Sequence, residues 1–312
     1  MIESAESLRD LLAGSAWQGR AVIELPILDT GESALALQIE RDEVEDAWQT
    51  ARALVPQTGR WPIATVCWSH ARSGWVEQMQ DADFFSRFGF IAPPNAENTD
   101  PQTILTAAND ADITAFLREK KAAAEDWFDE LDAMIQSELA ITAGIYGGSP
   151  SLEEVYQALG QNTPAITPDQ VDRWLLDWEQ KQEDPHEDWQ RHLEWYSPQP
   201  QDPIALLFLP ITCSWDALAY LSWFPTEYQG TENYSALGRS WQERYGAELV
   251  AHYGTMLQCY VSRPPNTIQA AWDLAQEQIL IAPCTTLLSG IPLRHHALAL
   301  LHFDRWFLHE RP

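Results

Sequence analysis

"WQERYGAELVAHYGTMLQCYVS", residues 241–262, changes its hydrophobic rhythm at a single glycine, and that change sets the fold class. Trp241 and Tyr245 stand four residues apart, the spacing of one helical face, and Gly246 falls where a left-handed residue closes a helix. Beyond it "ELVAHYG" and "MLQCYVS" read as two strands joined by a tight turn. A helix delivered through a glycine into a strand pair predicts an α+β protein.

Downstream, a capped helix is expected from Asn266 or Thr267 to Gln278, with Ile268, Ala271, Trp272, Ala275 and Ile279 on one face. A shorter helix near 292–301 and a final strand "RWFLHE" follow. Upstream, "IALLFLPI" (204–211) is a strongly apolar strand, and "LAYLSWF" (218–224) reads as another before a helix over 234–245.

The N-terminal part opens with a helix over 3–13 and two strands, "AVIELPIL" and "ALALQIE". A helix with Val44, Ala47, Trp48 and Ala51 at helical spacing and the apolar strand "WPIATVCW" complete a β-β-α-β unit, 1–98. "PPNAENTDP" (93–101) reads as a boundary. The helical, tryptophan-rich and acidic region 99–200 includes a long amphipathic helix over 112–141 that carries Trp127 and Phe128.

Ser151 with Glu154 makes a capping box there, and without a P-loop lysine the glycines before it do not form a phosphate cradle. Trp174, Trp178, Trp189 and Trp195 read as core-facing, interrupted by "EDPHED", where Pro185 breaks the helix. The third region, 201–312, is a C-terminal α+β domain, so the whole is predicted as small mixed sheets covered by helices around a helical middle. One covered sheet face is expected.

At 312 residues the chain exceeds what one core usually fills, so two or three modules are expected. Asp and Glu number 46 against 19 Lys and Arg, a formal charge of −27, which opposes direct binding to a phosphate backbone. Four cysteines, Cys67, Cys213, Cys259 and Cys284, lack C-x-x-C spacing, and the N-terminus does not read as a signal peptide. Apolar runs are too short for a membrane span, and a cytoplasmic location is expected.

Arg244 and Glu248 flank the glycine and could close on one another as a bidentate pair. Arg263 and the Glu277-Gln278 step are the other polar groups of the same block, and convergence of Arg244, Glu248, Arg263 and Gln278 would make a small anion- or amide-binding pocket. No catalytic residues are assigned: there is no G-x-S-x-G elbow, and of the adjacent His295 and His296 at most one could serve Cys284. No metal-ligand spacing and no cofactor motif stands out.

"WQERYGAELV" (241–250), "VSRPPNTIQAAWDLAQEQ" (261–278) and "RWFLHE" resemble, in order, the segments of the bacterial domain of unknown function numbered 4253. "TGRWPI" (58–63) is similar to a segment of its longer members. The chain departs from that pattern at "WFPTEYQGTENYS" and at Pro283-Cys284-Thr285, where members carry Asn-x-Cys-Pro and Tyr-Cys-Pro-Asp. The resemblance implies kinship and fold, and no activity.

Strong acidity, many tryptophans and the lack of a catalytic constellation lead to a non-catalytic protein-interaction module, immunity-like, with a basic protein as partner. Two alternatives stay open: a small-ligand binder or enzyme built on the four polar residues, and an acidic DNA mimic. Oligomeric state is not encoded legibly.

Overall fold

The computed structural model describes residues 2–27, 30–66, 100–160 except 125–130, 166–182, 189–199, 202–226 and 230–311. Cys67, the boundary at 93–99, Trp127, Phe128, Pro185 and the side chain of Trp189 lie outside the described residues. The fold is α+β, with one seven-stranded mixed sheet. The chain divides into two compact units, Met1–Phe116 with Trp195–Arg263 and Asp304–Pro312, and Leu117–Glu194 with Pro264–Phe303. That division cuts across the sequence boundaries at 98/99 and 200/201.

The first unit is built on the sheet, whose order is β1-β2-β4-β3-β5-β6-β7. Its strands are β1 Val22–Pro26, β2 Ser33–Ile39, β3 Trp61–Val66, β4 Ile204–Leu209, β5 Ala247–His252, β6 Met256–Val261 and β7 Arg305–His309. The N-terminal and C-terminal strands thus share one sheet rather than forming separate small ones. All pairs are antiparallel except β3 with β5, which is parallel at Ala64 and Ala251.

Every residue of β3 and of β4 is buried. Successive strand side chains point to opposite faces, so both faces of the sheet centre are covered, not one as expected. On one face Leu35, Leu37, Ala64, Val66, Leu206 and Phe208 pack with Leu8 and Leu12 and with Ala47 and Ala51. These come from α1 (Ala5–Leu11), whose C-cap is Leu12, and α2 (Val44–Ala53). Further helices of the described residues in this order are α3 Pro101–Asn109 and α4 Ile113–Ala124, which spans the division.

The stretch 218–224 is not a strand. Its first residues end a 3-10 helix, Ser214–Ala219, and Phe224 begins another, Phe224–Thr226. The reason lies in two buried tryptophans: Trp215 donates its indole N–H to Ala247 O at 2.9 Å and Trp223 donates to Thr255 O at 3.1 Å. Their apolar bodies fasten the segment onto strand ends instead of extending the ladder.

The second unit is helical: α5 Leu131–Tyr146, α6 Leu152–Leu159 and α7 Pro168–Glu179. Ser151 and Glu154 form the expected capping box of α6. Ile135, Leu139, Val155, Val171 and Leu175 make its apolar centre, with Trp174 partly buried against it. In chain order α8 (Thr231–Tyr245) belongs to the first unit. The helices α9 (Ile268–Ile281) and α10 (Leu293–His302) belong to the second. Helix α9 starts at a Thr267 cap that accepts from Ala270 N.

Candidate functional site

The four residues singled out from the sequence each have a partner within the chain. Helix α8 ends at Gly246, whose φ of 62° is left-handed, and a Cβ there would lie 2.0 Å from Ser262 Oγ. Only glycine meets both demands without strain. Arg263 Nη2 donates to Gln242 O at 3.3 Å and Glu243 O at 2.5 Å, and its N–H donates to Tyr245 O at 2.9 Å. The arginine therefore closes the C-terminal carbonyls of α8, where a cation also meets the negative end of the helix dipole.

Arg244 and Glu248 do not form the expected bidentate pair. The Arg244 guanidinium lies over the Tyr245 ring, 5.0 Å from its centroid. Glu248 is held instead from α2, receiving Arg52 Nε at 2.9 Å on Oε2 and Arg52 Nη2 at 2.6 Å on Oε1. Side chains i and i+4 across a glycine that ends the helix no longer share a face, which is why the pair fails. Gln278 belongs to the second unit, where its Oε1 accepts from His296 Nε2 at 2.9 Å.

"TGRWPI" has an equally structural role. Thr58 Oγ1 accepts from Arg60 N, and Gly59 takes a φ of 65°. The buried Arg60 guanidinium donates to Ile2 O, Ser33 O and Phe208 O, gathering the N-terminal segment and the ends of β2 and β4. Burial pushes its pKa down, against the field of Glu32, Glu24 and Glu3. Trp61 then donates its indole N–H to Leu249 O at 3.1 Å, the same carbonyl that Trp48 reaches from α2.

The densest chemistry lies in the second unit and was not foreseen. Arg294, fully buried, sits in the first turn of α10. Its Nε donates to Glu179 Oε1 at 2.8 Å, its Nη1 to Glu138 Oε2 at 2.5 Å and to Asp172 Oδ1, and its Nη2 to Thr142 Oγ1 at 3.1 Å and Glu138 O at 3.4 Å. All five guanidinium hydrogens are engaged. Asp172 Oδ2 also accepts from Arg294 N at 3.0 Å. It thus caps α10, whose own N-cap, Pro292, offers no side-chain acceptor.

His295 Nε2 lies 2.8 Å from Glu179 Oε2. Next to it, His296 Nε2 donates to Gln278 Oε1, so its Nδ1 accepts from His192 Nε2 at 2.9 Å. Burial, and then the field of His192, hold His296 neutral, well below the usual histidine range. Both of its ring nitrogens are engaged, which leaves neither to act as base for Cys284. Burial works against ionisation of Glu179, but the His295 hydrogen bond and the fields of Arg294 and His295 prevail and lower its pKa. Among the described residues, no three His, Cys, Asp or Glu side chains are grouped to hold a metal ion, and Cys213, Cys259 and Cys284 are free thiols.

The network had a faint signal. "LRHHALALL" places three polar residues inside an apolar helix, and Asp172 and Glu179 stand seven apart, on one face of α7 with Leu176. In a chain with 46 Asp and Glu, that spacing does not stand out from the background.

Fold and site together define an α+β protein with a seven-stranded mixed sheet in one unit and a buried ionic network in a helical one. Within it, residues 205–309 match the family described as "Domain of unknown function (DUF4253)". That segment supplies β4, α8, β5, β6 and β7 to the first unit and α9 and α10 to the second. No curated protein and no solved structure matches the chain. No helix among the described residues is long and apolar enough to cross a membrane.

Proposed function

We propose that this is a non-catalytic, cytoplasmic bacterial interaction protein whose partner is basic, in the manner of an immunity protein that neutralises a cationic toxin. One observation carries the reading: carboxylates far outnumber cations, and several of the few cations are engaged within the chain while exposed carboxylates are left in excess. Arg20, Arg52, Arg239, Arg294 and Arg305 pair with carboxylates of the chain, and Arg60 and Arg263 serve backbone carbonyls. Glu3, Glu6, Asp10, Asp42 and Asp46 face solvent on and beside α1 and α2.

A net charge of −27 arranged this way attracts a basic surface over a Debye length and accelerates its encounter. The polar residues that would build a small-ligand pocket, Arg244, Glu248, Arg263 and Gln278, already have partners within the chain. The test is capture with the tagged protein from its own host lysate at low and moderate salt. A stoichiometric basic partner whose recovery falls with salt is expected, and no stoichiometric partner under either condition would remove the reading.

A further inference from the structure

Two carboxylates of the second unit share one nitrogen. Arg294 Nη1 donates both to Glu138 Oε2 at 2.5 Å and to Asp172 Oδ1, so the two acids are close neighbours around a single NH2 group. Glu179 takes the Nε of the same guanidinium. One arginine thus faces three acids, so carboxylates outnumber the guanidinium they share.

Binding a proton costs less than burying an excess carboxylate charge. Glu179 has donors besides the arginine, Thr142 Oγ1 at 2.6 Å and His295 Nε2 at 2.8 Å. The Glu138 side chain is 22% exposed and keeps contact with water, whereas that of Asp172 is 11% exposed. Excess charge is therefore least tolerable on Asp172.

We propose that Glu138 and Asp172 form a proton-binding carboxylate pair, which holds one proton in mildly acidic solution, releases it to water past Glu138 towards neutrality, and thereby sets how firmly α10 is seated on α7. The groups facing Asp172 are the Arg294 guanidinium and backbone N–H from α10 and Glu138 from α5, with Glu179 two turns along α7 and His295 beyond it. Burial is the largest influence on Asp172, the field of Arg294 opposes it and that of Glu138 adds to it, and the result is a carboxyl pushed up to about 6. A carboxyl raised in the folded state stabilises fully below its ordinary value of 3.8 and loses that contribution as pH rises through about 6. Asp172 Oδ2 also holds the first turn of α10, so the proton changes the charge on that cap as well as relieving the repulsion from Glu138.

The experiment is a titration of the full chain, labelled with ¹³C at aspartate carboxyls, followed by NMR from about pH 4 to about pH 8. One aspartate should titrate near pH 6 and vanish in Asp172→Asn. Glu138→Gln removes the neighbouring negative charge while keeping an acceptor for Arg294, and should move that titration down by about one pH unit. Should Asp172→Asn fail to fold, Glu138→Gln decides the matter alone. Aspartates that all titrate below about pH 5, or a titration near pH 6 left in place by Glu138→Gln, would overturn the proposal.

Discussion

The two units anchor their buried donors by different means, apart from Arg60 of the first unit, whose buried guanidinium rests on backbone carbonyls. In the first, Trp48, Trp61, Trp215 and Trp223 each give a neutral indole N–H to a backbone carbonyl of β5 or of the β5–β6 turn. In the second, a fully buried arginine is matched against three acids, and two histidines hydrogen-bond one another. A neutral donor on a carbonyl loses little when a neighbour is altered, but an ion deprived of its counter-ion leaves a buried charge. Packing errors should therefore be the dominant threat to the first unit and charge errors to the second.

Arg294→Met is the severest test of that contrast. It leaves Glu138, Asp172 and Glu179 without their common partner, and loss of one member of a buried pair costs about 3–5 kcal/mol. Urea unfolding should show this loss at neutral pH, with part of it recovered in acid as the orphaned carboxylates take up protons. A loss below 1 kcal/mol would mean that the network contributes specificity and little stability.

Gly238→Ala asks the matching question of the first unit. A Cβ at Gly238 would lie 2.0 Å from Cδ2 of Trp215, a fully buried ring that also meets Trp241 edge-on at 5.5 Å. Overpacking of this kind costs about 1–3 kcal/mol, more than alanine returns by its helix propensity. Urea unfolding followed by tryptophan fluorescence should resolve it, and because no charge moves, the loss should be the same at every pH.

Legibility in sequence followed the same division. Helices and strands announced by period, cap or glycine were readable: Gly246 closing α8, the Ser151 capping box and the hairpin after residue 246. What escaped depended on distant partners. Residues 218–224 have strand composition, but Trp215 and Trp223 tie that segment to Ala247 and Thr255. Glu248 was matched with its near neighbour Arg244, while the residue that holds it, Arg52, lies 196 positions away. The Arg294 network joins side chains more than 110 positions apart, a separation at which local spacing carries no information.

Each unit also has a titration of its own sign. Burial holds His252 of the first unit down to about 3, from the ordinary histidine value of 6.5. The unfolded chain takes up that proton first, so the contribution of His252 to stability is present above pH 6.5 and is lost as pH falls towards 3. Asp172 runs the other way. Between pH 7 and pH 5, His252→Asn should remove up to about 2 kcal/mol of acid-induced loss relative to the parent chain. The comparison isolates one group because the background from the acidic surface is common to both proteins. Equal slopes in both would show that the folded chain protonates His252 as readily as the unfolded chain does.

The smallest effect is expected at Arg52 and Glu248. Their geometry is bidentate, yet the Arg52 side chain is 49% exposed, and water competes for it throughout. Arg52→Ala should cost no more than about 1 kcal/mol at low salt and less as salt is added. The variant also exposes a carboxylate that the parent chain keeps paired, so it raises the negative surface charge without touching the core. If capture of a basic partner strengthens while stability barely changes, recognition and folding are separable on this face. A loss of several kcal/mol would instead place Glu248 with Arg294, among the residues whose charge the fold cannot do without.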